Sequence, residues 1–206
     1  MSDKINIDDL ERKVRGEYNQ DGLLELLLGA LMFFMAGTFA TSSLVVFVTF
    51  PIIYINKVLE ALRSRFTYPR IGYAELKPDA DPETGYGILK YMLIVVVIMS
   101  FTLYYMYEGD FTDFSLYKWI PTFIGAMFLG AMLYLNGTTG DPYAKIYAAV
   151  SLVGGLVFSL YDFNILKVNI EYYLLSLSAF YLVAGALRLY TFIQTHLVVV
   201  LPTEDV

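Results

Sequence analysis

The chain has 206 residues, 57% of them hydrophobic and 17% charged, with a net charge of −6 and no cysteine. A soluble domain carries about 25% charged residues, so this composition predicts a helical membrane protein without a large soluble domain. The acidic balance offers no basic footprint for nucleic acid, and the lack of cysteine excludes thiol catalysis and Cys-based metal or iron–sulfur sites.

The opening stretch, "MSDKINIDDLERKVRGEYNQ", is polar and mixed in charge, unlike a cleavable signal with its short apolar core. Within residues 1–20, Ile7, Leu10, Val14 and Tyr18 share one helical face, opposite Asp9, Glu11, Lys13 and Arg15. This pattern predicts an amphipathic helix on the inner membrane surface, or else a short soluble helix packed on a cytoplasmic loop.

A membrane-crossing helix needs roughly 20 predominantly apolar residues. The first span is predicted over 22–40, and "TSS" at 41–43 allows a tight turn. The second runs over 44–62 with a kink at Pro51, and a cytoplasmic loop follows over 63–87. The remaining spans are predicted over 88–107, 119–135, 143–161 and 171–191. Between the fourth and fifth, "NGTTGDP" breaks the chain, with Asp141 and Pro142 as N-cap and first-turn pair. Asn136-Gly137-Thr138 matches a glycosylation sequon but reads here as a turn.

The expected fold class is thus an all-α membrane protein of six transmembrane helices, forming a single membrane domain. Lys4, Arg12, Lys13, Arg15, Lys57, Arg63, Arg65, Arg70, Lys77, Lys90, Lys145 and Arg188 fall on one side of this threading. Only Lys118 and Lys167 fall on the other. The positive-inside rule then places both termini and the 63–87 loop in the cytoplasm of a multi-pass cell-membrane protein.

A shift of 55 residues lays Lys90 on Lys145 and Gly130-Ala131 on Gly185-Ala186, and the first span carries the same step at Gly29-Ala30. Small residues let membrane helices approach closely, so these six are candidate helix-packing positions. The echo suggests two related hairpins, spans three and four, then five and six.

Ionisable groups inside lipid are costly and invite a functional reading. Glu25 and Arg188 either pair beside a polar cavity, or act separately: Arg188 snorkels and Glu25 steadies its helix N-terminus, which is the plainer reading. Spans two to six show no charge near the midplane, against a proton relay. His196 is the only histidine, so a zinc site and a His-activated serine are both unexpected. No Walker or Rossmann glycine pattern occurs. The 18 tyrosines fit an interfacial belt, with an aromatic quinone or haem site as the alternative. No catalytic residue, metal or cofactor is expected.

After the second span comes "RSRFTYPRIGYAEL". Pro69 disfavours helix at Tyr68, and "RIGYAEL" alternates like a strand. The economical expectation is a small cytoplasmic β pair, about 70–76 with "LVVVLP" at 197–202. Arg63, Arg65, Tyr68, Arg70 and Tyr73 are the candidate lipid- or partner-binding residues; plain positive-inside anchoring explains the arginines equally well.

"RFTYPRIGYAEL" after an apolar hairpin, preceded by "DGLLELLLGALM", resembles an uncharacterised family of prokaryotic integral membrane proteins with a YPRxGY-type motif after the second span. Tyr68, Pro69, Arg70, Gly72 and Tyr73 match it, and the resemblance covers about residues 20–76. It implies a multi-pass membrane protein of unknown function and brings no activity.

The function expected is a non-enzymatic scaffold, complex subunit or lipid-binding bundle acting through its cytoplasmic face. Its partners would be membrane lipids, anionic ones included, and a protein or a second copy of the chain. The alternative is a small transporter or channel for a neutral or apolar solute, with a cavity between spans one, four and six.

Overall fold

A computed structural model describes residues 14, 16–40, 45–73, 82–108, 113–161 and 166–197. Every element among them is helical. A 3-10 turn, Asn19–Asp21, leads into α1 (Leu23–Ala40), followed by α2 (Val45–Phe66) and a one-turn helix, Tyr68–Ile71. Then come α3 (Pro82–Glu108), α4 (Asp113–Thr139), α5 (Tyr143–Leu160) and α6 (Leu166–Thr195). Three described stretches are long and apolar enough to cross a membrane: Lys118–Thr139, Tyr143–Leu160 and Asn169–Thr195. Leu23–Gly37 and Ile88–Tyr104 are apolar but shorter.

The helices pack chiefly as two pairs, α1 along α6 and α4 along α5. α2 leans on α1, α3 leans on α4, and α6 joins the pairs by touching both α4 and α5. Small residues make the seams. A Cβ on Gly29 would lie 2.9 Å from the Leu182 amide nitrogen, and one on Gly185 would lie 2.7 Å from that of Leu26. Ser178 Oγ donates to the Gly29 carbonyl at 2.7 Å, fixing α6 on α1. Between α4 and α5, Gly125 abuts the Ser151 carbonyl and Gly155 abuts that of Pro121.

This pairing does not follow the sequence echo. Gly130 faces Val95 of α3, its neighbour in the chain, whereas Gly185 faces α1 and not α5. Ala30 is half-buried, and Ala131 and Ala186 are exposed.

The core joins Met32 of α1, Met132 of α4, Tyr147 of α5, and Tyr173, Leu174, Leu177 and Tyr181 of α6. These side chains form one buried cluster in the region where the alternative reading, a transporter or channel, places a cavity. Tyr147, Tyr173 and Tyr181 therefore belong to the core and not to an interfacial belt. Their hydroxyls find partners: Tyr173 donates to the Ser151 carbonyl at 2.8 Å, and the Tyr181 hydroxyl meets Ser151 Oγ at 3.2 Å. Thr122 and Ser159 pair likewise at 2.8 Å. Outward faces are apolar instead, with Leu89 63% and Phe101 66% exposed. Large hydrophobes thus stand on the outside as well as in the core, a broader apolar surface than a monomer in water usually shows.

Two local expectations need correction. Arg70 and Ile71 lie in the one-turn helix, not in a strand, and no strand occurs among the described residues. Proline in a helix's first turn sacrifices no hydrogen bond, so Pro69, which helps end α2, also begins the next turn. Gly72 stops it at φ 86°, its amide donating to the Tyr68 carbonyl at 2.9 Å. Residues 74–76 and 198–202 of the expected β pair lie outside the described residues, as do 41–43 and, but for Val14 and 16–20, the amphipathic helix over 1–20. The "NGTT" segment is likewise not a break: α4 continues to Thr139, and the chain turns at Gly140, φ 72°. Pro142 holds the N-cap position of α5, one residue later than expected, while Asp141 just before it accepts from the Tyr143 amide through Oδ1 at 3.0 Å.

Candidate functional site

The start of α1, the end of α2, the α4–α5 turn and the last third of α6 meet at one end of the bundle. Among the described residues, the buried carboxylates are Asp21, Glu25 and Asp141, and all three lie there. Each stands at or near a helix start, where the helix dipole favours an anion. Two arginines reach in from other helices.

Asp21 is fully buried. Its Oδ1 accepts from the Leu23 amide at 3.0 Å, which caps α1. Its Oδ2 accepts from Arg63 Nε at 3.0 Å and from Thr67 Oγ1 at 3.0 Å. Arg63 Nη2 also donates to the Tyr18 carbonyl and, at 2.7 Å, to Asn19 Oδ1. Arg63 and Thr67 thus tie the end of α2 to the turn that begins α1.

Arg188 does the same from α6. Its Nη1 donates to Glu25 Oε1, and its Nη2 bridges the Asn19 carbonyl at 3.0 Å and Asp141 Oδ2 at 2.8 Å. The guanidinium stands 5.0 Å from the centre of the Tyr143 ring, a cation–π distance. Asn136 Nδ2 donates to the Asp141 carbonyl at 2.7 Å, holding the α4–α5 turn in place. Asn19 is the link between the halves, since its side chain takes Arg63 and its carbonyl takes Arg188. Glu25 Oε2 is buried without a hydrogen-bond partner.

Beside Arg188 opens a cleft of about 570 Å³ between α5 and α6. Arg188 and Asp141 supply its polar floor, while Ile146, Phe180, Leu187 and Phe192 supply apolar wall. His196 stacks on Phe192 at 4.5 Å at its rim. Three carboxylates face two arginines across the whole cluster, so the floor carries no spare positive charge. It suits a neutral or cationic group better than an anion.

The structure brings Glu25 and Arg188 together, and it turns the YPRIGY motif partly inward. Tyr68 packs edge-on against Tyr18 at 5.7 Å and against Tyr73 at 5.1 Å. Burial raises the Tyr68 phenol above its ordinary pKa, so it stays neutral beside Arg63. Tyr18 donates to the Gly72 carbonyl at 3.3 Å. Arg70 Nη1 donates to the Phe66 carbonyl at 2.6 Å. Arg65 and Tyr73 are exposed. Sequence reasoning singled out neither Asp21 nor Asn19, and it saw Asp141 only as a cap. The available signal was local: "NQDG" immediately before an apolar span, and "GDP" between two more.

Compared with protein families, curated proteins and solved structures, the chain matches none.

Proposed function

We propose that this is a six-span membrane protein, both termini cytoplasmic, that works as a non-enzymatic binding scaffold through its arginine-clasped end. The observation that carries the reading is the convergence of Arg63 and Arg188, from two different helices, on one 3-10 turn and the carboxylates in and around it. Cross-linked polar networks in a low-dielectric setting are rigid, and here every buried member but Glu25 Oε2 is bonded; rigidity lowers the ordering cost of binding. The apolar outer faces support membrane burial, and the basic residues of the chain favour this end as the cytoplasmic one.

Arg63 and Arg70 serve the fold in this reading. Arg65 and Tyr73 remain outward for a lipid head group or a partner, and the cleft beside Arg188 receives an uncharged or cationic element of that partner. Resemblance of Tyr68–Tyr73 to the motif of uncharacterised prokaryotic membrane proteins agrees with this placement. A solute carrier draws no support from the region between α1, α4 and α6, where Met32, Met132, Leu177 and Tyr181 are buried.

The test is native mass spectrometry of the protein released gently from its own membranes. The expected result is a retained protein partner that is lost from the double variant Ile146→Glu, Leu187→Glu, two exposed cleft positions. A bare monomer in both cases would overturn the scaffold reading.

A further inference from the structure

A second hollow lies on the opposite flank of α4 from α5, and it is almost wholly carbon. It is a furrow of about 550 Å³ between α3 and α4, lined by Ile88, Tyr91 and Met99 on one side and Met127, Ala131 and Tyr134 on the other. Gly130 makes its floor: any Cβ there would collide with Val95 Cγ2, so α3 and α4 touch at that point. Near the end at which α3 begins, the Tyr91 hydroxyl would lie 2.8 Å from a Cβ on Gly137. The furrow is therefore shallow and closed underneath, and it opens sideways.

Three features specify an occupant. The first is length. From Ile88 to Met99 is eleven residues of helix, about 16 Å at 1.5 Å per residue, close to half of a hydrocarbon core of about 30 Å. The furrow is one leaflet deep. The second is polarity. Tyr91 and Tyr134 meet edge-on at 6.2 Å at one end, while the far end is Met99 and Met127, soft side chains that adapt to a flexible chain. The third is charge. Lys90 is exposed, and its Nζ stands 5.9 Å from the centre of the Tyr91 ring.

We propose that this furrow binds one anionic glycerophospholipid, with an acyl chain laid between α3 and α4 and the phosphate at Lys90. A second copy of the chain suits the furrow less, because only one end is polar and the hollow stops at Met99, short of the end of α3. The proposal rests on the membrane reading and adds to it a site that does not involve the arginine clasp.

The experiment uses the full chain in mild detergent, with phosphatidylglycerol or phosphatidylcholine of identical acyl chains added, and reads retained lipid by native mass spectrometry. The expected result is one retained phosphatidylglycerol, bound about fivefold more tightly than phosphatidylcholine, the worth of a single basic residue at an anionic surface. Lys90→Gln should abolish that preference while leaving the phosphatidylcholine adduct unchanged. Ala131→Phe, at an exposed lining position, should remove both adducts. Equal retention of the two lipids by the wild-type chain would overturn the proposal, as would an Ala131→Phe variant that binds like wild type, or a dimer in place of the lipid adduct. Carbonate extraction separates the two levels: a chain that stays in the membrane but retains no lipid sinks the furrow alone, while a chain that washes off sinks the membrane reading too.

Discussion

Asp21 accepts a hydrogen bond from Arg63 Nε at 3.0 Å although 42 residues separate them in the chain. The carboxylate is fully buried, and its other oxygen caps α1. Asp21→Ala should therefore remove a helix cap and strand the guanidinium together. Breaking a buried pair from one side costs about 3–5 kcal/mol. The melting temperature in detergent should fall sharply, and Asp21→Ala with Arg63→Ala should cost less than the sum of the two. Strict additivity would mean that the pair does not couple the helices.

Arg188 satisfies three acceptors with one planar group. Arg188→Ala leaves Glu25 and Asp141 facing each other with no cation between them, a loss of about 3–5 kcal/mol. Arg188→Lys should recover little of it, since an ammonium is a point charge and not a fork. Adding Glu25→Gln to Arg188→Ala should restore part of the stability. Thermal melting of the four proteins in one detergent decides it, and a lysine variant equal to wild type would show that charge alone suffices.

The seam between α1 and α6 can be tested with adjacent positions. Gly185→Val pushes a side chain into Gly22 and Leu26, and overpacking of this kind costs about 1–3 kcal/mol. Ala186→Val, exposed on the same helix, should change stability by less than about 0.5 kcal/mol. If the two variants melt together, α1 and α6 do not meet through Gly185.

The six-span threading is open to direct labelling, because the chain has no cysteine to remove. Single cysteines at Glu17, Lys145 and Tyr161 all replace exposed residues. A membrane-impermeant maleimide should reach positions 17 and 145 from the cytoplasmic side and position 161 from the other. Labelling of 17 and 161 from the same side would break the threading.

Much of the helix layout was legible beforehand, because an α-helix is held by hydrogen bonds four residues apart and lipid-facing helices announce themselves by composition. The first and fifth segments, predicted over 22–40 and 143–161, emerge as Leu23–Ala40 and Tyr143–Leu160. Helix ends were harder to see. α3, α4 and α6 each outrun their apolar stretches, since polar residues such as Asn136 and Thr139 continue a helix once its turns are set. Pro69 misled for a related reason: the same ring that discourages helix before it is at home in a helix's first turn.

By itself, the sequence determined that the protein is helical, that several helices are apolar enough for lipid, and that its charge is crowded toward a few connecting segments. Those are local properties, set by each stretch alone. Only the tertiary structure decided that α1 lies along α6 and α4 along α5, that Tyr147, Tyr173 and Tyr181 are core, and that Arg63 turns inward to Asp21 while Arg188 gathers Glu25 and Asp141. Each depends on which small residues allow backbones to meet and on which distant charge can compensate a buried one. Partners 42 and 163 residues apart leave no trace in spacing, because nothing in the chain between them records the contact.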